Sequence, residues 1–168
     1  MPCVASQPAV VTSTSWRLPA GALGAGAAAG AVAGGSSAGT ASITNTFFTE
    51  FYGTSTAGNA TITNQANLLF YDDSSAGSAT ITNNNSGLIN FHTNSTAGNA
   101  SITNNANLSF YDNSKAGSAT ITNKSSLIFY DSSSADGATI VNESSLIFRG
   151  FSTAGTATIT TACTRYTE

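Results

Sequence analysis

The stretch Ala60-Thr61-Ile62-Thr63-Asn64 decides the fold, because it returns along the chain at a nearly fixed interval. Its isoleucine recurs as Ile43, Ile62, Ile81, Ile102, Ile121, Ile140 and Ile159, in steps of 19, 19, 21, 19, 19 and 19 residues. A period in this range is the signature of stacked repeats, each of which buries its apolar side chains against its neighbours. The chain is therefore expected to be a solenoid, and any function must sit on its faces.

Aligned on the isoleucine, the coils fall into columns. Two residues earlier stands Ala41, Ala60, Ala79, Ala100, Ala119, Ala138 or Ala157, and five earlier Ala38, Ala57, Ala76, Ala97, Ala116, Ala135 or Ala154. Six residues later come Leu68, Leu108, Leu127 and Leu146, with Thr49 and Ile89 in their place elsewhere. Two further on is Phe51, Phe70, Phe91, Phe110, Phe129 or Phe148. Alternate residues of a strand face the same side, so each coil offers two short strands, Ala-x-Ile and Leu-x-Phe, aimed at one interior. The expected core ladders are Ile62, Ile81, Ile102, Ile121 and Ile140 on one side and Phe70, Phe91, Phe110, Phe129 and Phe148 on the other. A helical reading fails, since Val, Ile, Thr, Asn, Ser and Gly form helices poorly and no 3.6-residue period runs through them.

Corners separate the strands. Asn45, Asn64, Asn83, Asn104, Asn123 and Asn142 close the first strand. Asn tolerates left-handed backbone, its amide can bond a neighbouring turn, and amides stacked in register form a ladder. The second corner passes through Gly39, Gly58, Gly77, Gly98, Gly117 and Gly155, where a tight bend needs positive φ, and the sixth coil is expected to move that glycine by one, as Asp136-Gly137. The extra two residues of the third coil fall within 84–87, harmless if that corner meets water.

Composition narrows the function. Only 8% of the 168 residues are charged and the formal net charge is −3. The five Lys plus Arg are scattered singly, so no basic stripe is present to hold a phosphate backbone, and nucleic acid is not an expected partner. No run of 18 or more strongly apolar residues provides a transmembrane helix. Residues 1–35 stand apart as an Ala/Gly-rich leader, read as disordered, or else as signal-like with Ala31-Val32-Ala33 resembling a cleavage site; residues 36–168 form the repeat domain. Cys3 and Cys163 lie at opposite ends of a stack about 30 Å long, too far apart to pair.

Chemistry-bearing residues are few. His92 is the only histidine and sits in a column otherwise held by Tyr52, Tyr71, Tyr111 and Tyr130, so it reads as a substitute on an aromatic ladder rather than a general base. One histidine gives no histidine pair for a metal, and no metal or other cofactor is expected. Asp72, Asp112 and Asp131 recur one residue further on, where a row of carboxylates could hold calcium or do acid and base work. Gly53, Thr93 and Gly150 interrupt that row, and the chain is expected not to be an enzyme. Sequons such as Asn59-Ala60-Thr61 follow from the repeat itself.

Two outward features remain. Thr61/Thr63, Thr80/Thr82, Thr120/Thr122 and Thr158/Thr160 flank the isoleucine, with Ser42/Thr44, Ser101/Thr103 and Thr139/Val141 as near matches. Thr suits exposed strands and pairs with Thr above and below, yet the same array is a regular hydroxyl surface similar to the Thr-x-Thr faces of β-solenoid antifreeze proteins. The tyrosine ladder with its Asp neighbours either stabilises the sheet or offers rings to sugars.

The repeat Ser/Thr-Ala-Gly-Asn/Ser-Ala-Thr-Ile-Thr-Asn followed by Leu-x-Phe resembles the passenger repeats of bacterial autotransporter adhesins of the diffuse-adherence and self-associating types, over about residues 36–160. The resemblance implies an all-β, right-handed parallel β-helix of about seven 19-residue coils, displayed at the cell surface or secreted. It would adhere to surface glycans or proteins of host or neighbouring cells, or to itself. No C-terminal segment has the ten-residue alternating strands of an outer-membrane barrel, so membrane anchoring would require a longer chain. Ice binding is the alternative, and a polysaccharide-binding or polysaccharide-cleaving β-helix the third reading.

Overall fold

The computed structural model describes residues 16–17 and 29–162. Most of the leader, with Cys3 and Cys163, lies outside the described residues. The strands in chain order are β1 (Trp16–Arg17), β2 (Ala29–Val32), β3 (Ser42–Asn45), β4 (Phe48–Phe51), β5 (Thr61–Asn64), β6 (Asn67–Phe70), β7 (Thr80–Asn83) and β8 (Leu88–Phe91). They continue as β9 (Ser101–Asn104), β10 (Asn107–Phe110), β11 (Thr120–Asn123), β12 (Ser126–Phe129), β13 (Thr139–Asn142), β14 (Ser145–Phe148) and β15 (Thr158–Thr161). Among the described residues no helix occurs.

Two parallel sheets result, one running β3-β5-β7-β9-β11-β13-β15 and the other β1-β2-β4-β6-β8-β10-β12-β14. The chain is a parallel β-solenoid. Every pairing is in register by column, with Ile62 beside Ile81 and Phe70 beside Phe91, so like residues lie over like. Register is fixed because a slip of one residue would turn each Ile to water. Within the first 35 residues, Ala29–Val32 already pairs in parallel with Phe48–Phe51.

The predicted columns form the core. Ile62, Ile81, Ile102, Ile121 and Ile140 are buried, as are Phe70, Phe91, Phe110 and Phe129 and the inner alanines between them. Phe148 is only partly buried, because it belongs to the last coil of its sheet. The phenylalanine rings stack with centroids 4.6 to 4.9 Å apart, which is the spacing of parallel strands. Alternation in the sequence marks two sides per coil, whereas the structure has three. Single-residue bridges join Ser37, Thr56, Ser75, Thr96, Lys115, Ser134 and Thr153 along the third side. That side stays short because left-handed bends close it at both ends, at Asp72 and Gly77 in one coil.

Two expectations about corners are revised, and a third corner is found. The asparagines do not use left-handed backbone; Asn64 and its counterparts remain in their strands, and their amides face inward. In the sixth coil the bend position does not move, since Asp136 itself takes φ 54° in the column of Gly117 and Gly155. The third corner, at Gly53, Asp72, Thr93, Asp112, Asp131 and Gly150, is left-handed throughout, with φ between 55° and 69°. The insertion in the third coil behaves as anticipated: Asn85 and Ser86 turn outward to water, and the register is restored at Leu88 beside Asn67. Gly87 is required there, because a Cβ would collide with the Asn83 amide oxygen.

Candidate binding faces

The first face is the outer surface of the seven-stranded sheet. Its outward columns are Ser42, Thr61, Thr80, Ser101, Thr120, Thr139 and Thr158, then Thr44, Thr63, Thr82, Thr103, Thr122, Val141 and Thr160. Thr61, Thr80, Thr120 and Thr158 are exposed, as is Thr160, while Thr63, Thr82, Thr103 and Thr122 are half-buried. The fold thus brings all the predicted threonines onto one plane. The β-branched chains form it because their inward neighbours, Ile and Asn, claim the core and leave the hydroxyl-bearing residues outside. What it offers a partner is a regular array of hydroxyls and methyls without charge.

The second face carries the aromatic ladder. Tyr71, His92, Tyr111 and Tyr130 stack with centroids 4.7 to 5.0 Å apart, and the Arg149 guanidinium lies 5.8 Å from the Tyr130 ring centre. Tyr52 holds the same column one coil below Tyr71, its N–H donating to the Val32 carbonyl. The stacked rings turn their faces to one another, so a sugar would meet mainly edges and phenol hydroxyls. Burial raises the Tyr71 phenol above its ordinary pKa, with Glu50 adding to the shift. Burial lowers His92, opposed by the Asp112 carboxylate 3.9 Å away, so the imidazole is held toward its neutral form.

The aspartate row has a backbone role. Asp72, Asp112 and Asp131 each occupy the left-handed corner, which Asp tolerates better than most residues. Their carboxylates accept N–H groups from the coil below: Gly53 to Asp72 at 2.9 Å, Thr93 to Asp112 at 2.8 Å and Asp112 to Asp131 at 3.2 Å. Gly53 and Gly150 therefore belong to the column for the same conformational reason. Among the described residues, no group of three His, Cys, Asp or Glu is placed to hold a metal ion.

A further column escapes a reading of the sequence by alternation. Ser55, Ser74, Ser95, Ser114 and Ser133 are buried on the third side beside the inner alanines. Ser95 and Ser133 donate to the Phe70 and Phe110 carbonyls in the preceding coil at 3.2 Å. Recurrence of serine at that position in every coil is the signal that could have found it. A scan against protein-family models gives no match, and searches of curated proteins and of solved structures give none either.

Proposed function

We propose that this chain is a structural and adhesive module of a bacterial cell surface, a passenger or stalk segment that self-associates or attaches to glycans or proteins of neighbouring cells. The observation carrying this reading is the seven-stranded sheet whose two outward columns repeat Thr or Ser at every coil except Val141. A broad, uncharged and repetitive surface suits many weak, equivalent contacts, whose combined strength grows with the number engaged. Such a role involves no catalytic step and no cofactor. Its test is display of the chain on otherwise non-adherent cells. Clumping or surface attachment that depends on the chain is expected, and its complete absence would overturn the reading.

A second reading is favoured by the regularity of the same columns. Rows of threonine hydroxyls separated by the strand spacing, and about 6.7 Å apart along each strand, form a lattice able to order water. Ser42, Ser101 and Val141 interrupt it, so only weak thermal hysteresis is expected. A freezing-point gap abolished by Thr103→Tyr would put ice binding first.

A further inference from the structure

The outer face of the eight-stranded sheet is not flat. Leu69 and Ser109 alternate with inward-facing neighbours and so point outward, yet they are only 8% and 6% exposed. Asn67 and Asn107 on one side of them are exposed, while Tyr71 and Tyr111 on the other are half-buried. Leu69 and Ser109 therefore lie on the floor of a trough that runs along the stack, with the aromatic ladder as one wall. Asn90 stands between them in the same column and keeps its amide oxygen buried without a hydrogen-bond partner.

The ladder decides what can lie in this trough. Tyr71, His92, Tyr111 and Tyr130 are parallel to within 15°, so the inner rings cover one another's faces and the wall consists of ring edges. Ring edges carry the positive end of the aromatic quadrupole and attract the negative face of another π-system. From Tyr71 to Tyr130 the wall runs roughly 14 Å, three strand spacings, so a flat aromatic body laid lengthwise meets four edges at once. A sugar ring has no π-face to offer them.

Charge distinguishes the two ends. Glu50 continues the floor column one coil below Leu69, and its carboxylate acts on the Tyr71 phenol. The Asp112 carboxylate lies 3.9 Å from the His92 imidazole. At the other end the Arg149 guanidinium sits 5.8 Å from the Tyr130 ring centre. A ligand carrying one positive charge would thus place it toward Glu50 and away from Arg149.

We infer that this trough binds an elongated planar aromatic molecule, electron-rich along its body and cationic at one end, lying parallel to the stack with the cation toward Glu50. Its body presents a π-face to the edges of Tyr71, His92, Tyr111 and Tyr130. Ser109 leaves room for it beside Tyr111. The inference is independent of the adhesive reading, which rests on the seven-stranded sheet.

Thioflavin T, an aminophenyl group joined to a cationic benzothiazolium, is the probe, titrated into the full chain. Saturable binding of one dye per chain is expected, with enhanced fluorescence and dichroism induced in the dye band. Tyr111→Ser, which opens the wall, and Ser109→Trp, which fills the floor, should each weaken binding by at least about tenfold. The uncharged benzothiazole analogue should also bind at least about tenfold more weakly. Lys115→Ala, on the third side, should leave the affinity unchanged, and circular dichroism should show that all three variants keep their β content. Absence of binding, an affinity unmoved by Tyr111→Ser, or equal affinity for the uncharged analogue would overturn the inference. So would displacement of the dye by a β-linked glucose hexasaccharide, which would assign the trough to carbohydrate.

Discussion

The side-chain amide of Asn64 donates to the amide oxygen of Asn83 over 2.8 Å, with both side chains sealed inside the stack. The relationship repeats from Asn45 through Asn142 in five amide-to-amide bonds of 2.7 to 2.8 Å, all donating toward the C-terminus. Each amide also donates to a corner or next-coil carbonyl, as Asn104 does to Ser126 at 2.8 Å. A polar column in so small a core is stable because its donors are paired, and chains of such bonds polarise one another.

Breaking that ladder should be costly. Asn104→Leu leaves the Asn83 amide donor and the Asn123 amide oxygen without their partner, and is expected to destabilise the chain by on the order of 2 to 4 kcal/mol. The midpoint of denaturant unfolding reads the change. A loss under about 0.5 kcal/mol would show that the ladder fills space without holding the coils.

Inner and outer faces should respond differently to substitution. Ile102 is enclosed between Ile81 and Ile121, so Ile102→Asp buries an unpaired carboxylate and should unfold the middle of the stack. Tyr111→Ser removes two ring contacts from the outer ladder and should cost only about 1 to 3 kcal/mol, leaving β structure intact. Equal loss of β signal by circular dichroism in the two variants would contradict the assignment of faces.

The core columns are legible in the sequence because alternation by two separates inside from outside regardless of context, and like residues must lie over like in an in-register stack. Asn64 and Asp72 are harder. For Asn64 the amide ladder is expected from amides stacked in register and is found, but its turn propensity hides that the residue stays in its strand with the amide turned inward. Asp72 reads first as a carboxylate, although Gly53 and Gly150 in its column already point to backbone conformation. The third side stays hidden because one bridging residue per coil leaves no alternation to detect. The binding faces are legible as residue columns, but a partner is not written in them: Thr61 serves an exposed strand equally well whatever it meets.

Left-handed corners give the next test. Asp112→Gly keeps the bend and should cost little beyond the lost hydrogen bond to Thr93, whereas Asp112→Val forces a β-branched residue to φ 57° and should cost about 2 kcal/mol more. Gly77→Ala should be worse than Asp112→Gly, because its Cβ would come 2.7 Å from the Gly58 carbonyl oxygen. Thermal melting of the three variants orders them, and an indifferent Asp112→Val would dismiss the conformational explanation of the aspartate row.

Stability should fall in mild acid through His92. Burial depresses its folded pKa below 6.5, the Asp112 carboxylate opposing the shift, so the fold favours neutral imidazole. That contribution is fully present above pH 6.5 and is lost as pH falls through the depressed folded value. The unfolding midpoint should therefore decrease between neutral pH and about pH 5, and His92→Tyr, which restores the ladder residue, should flatten this part of the profile. A profile unchanged by His92→Tyr would assign the acid sensitivity to other groups.

If adhesion is spread over equivalent coils and not concentrated in one site, deleting single coils should weaken it by equal steps. Removing residues 107–125 joins Ala106 to Ser126, and removing residues 126–144 joins Ser125 to Ser145, each deletion preserving every column. Cells displaying either shortened chain are predicted to clump less than cells displaying the full chain, and to the same reduced extent. Clumping abolished by one deletion and untouched by the other would contradict this distribution and assign the activity to a discrete site in the missing coil.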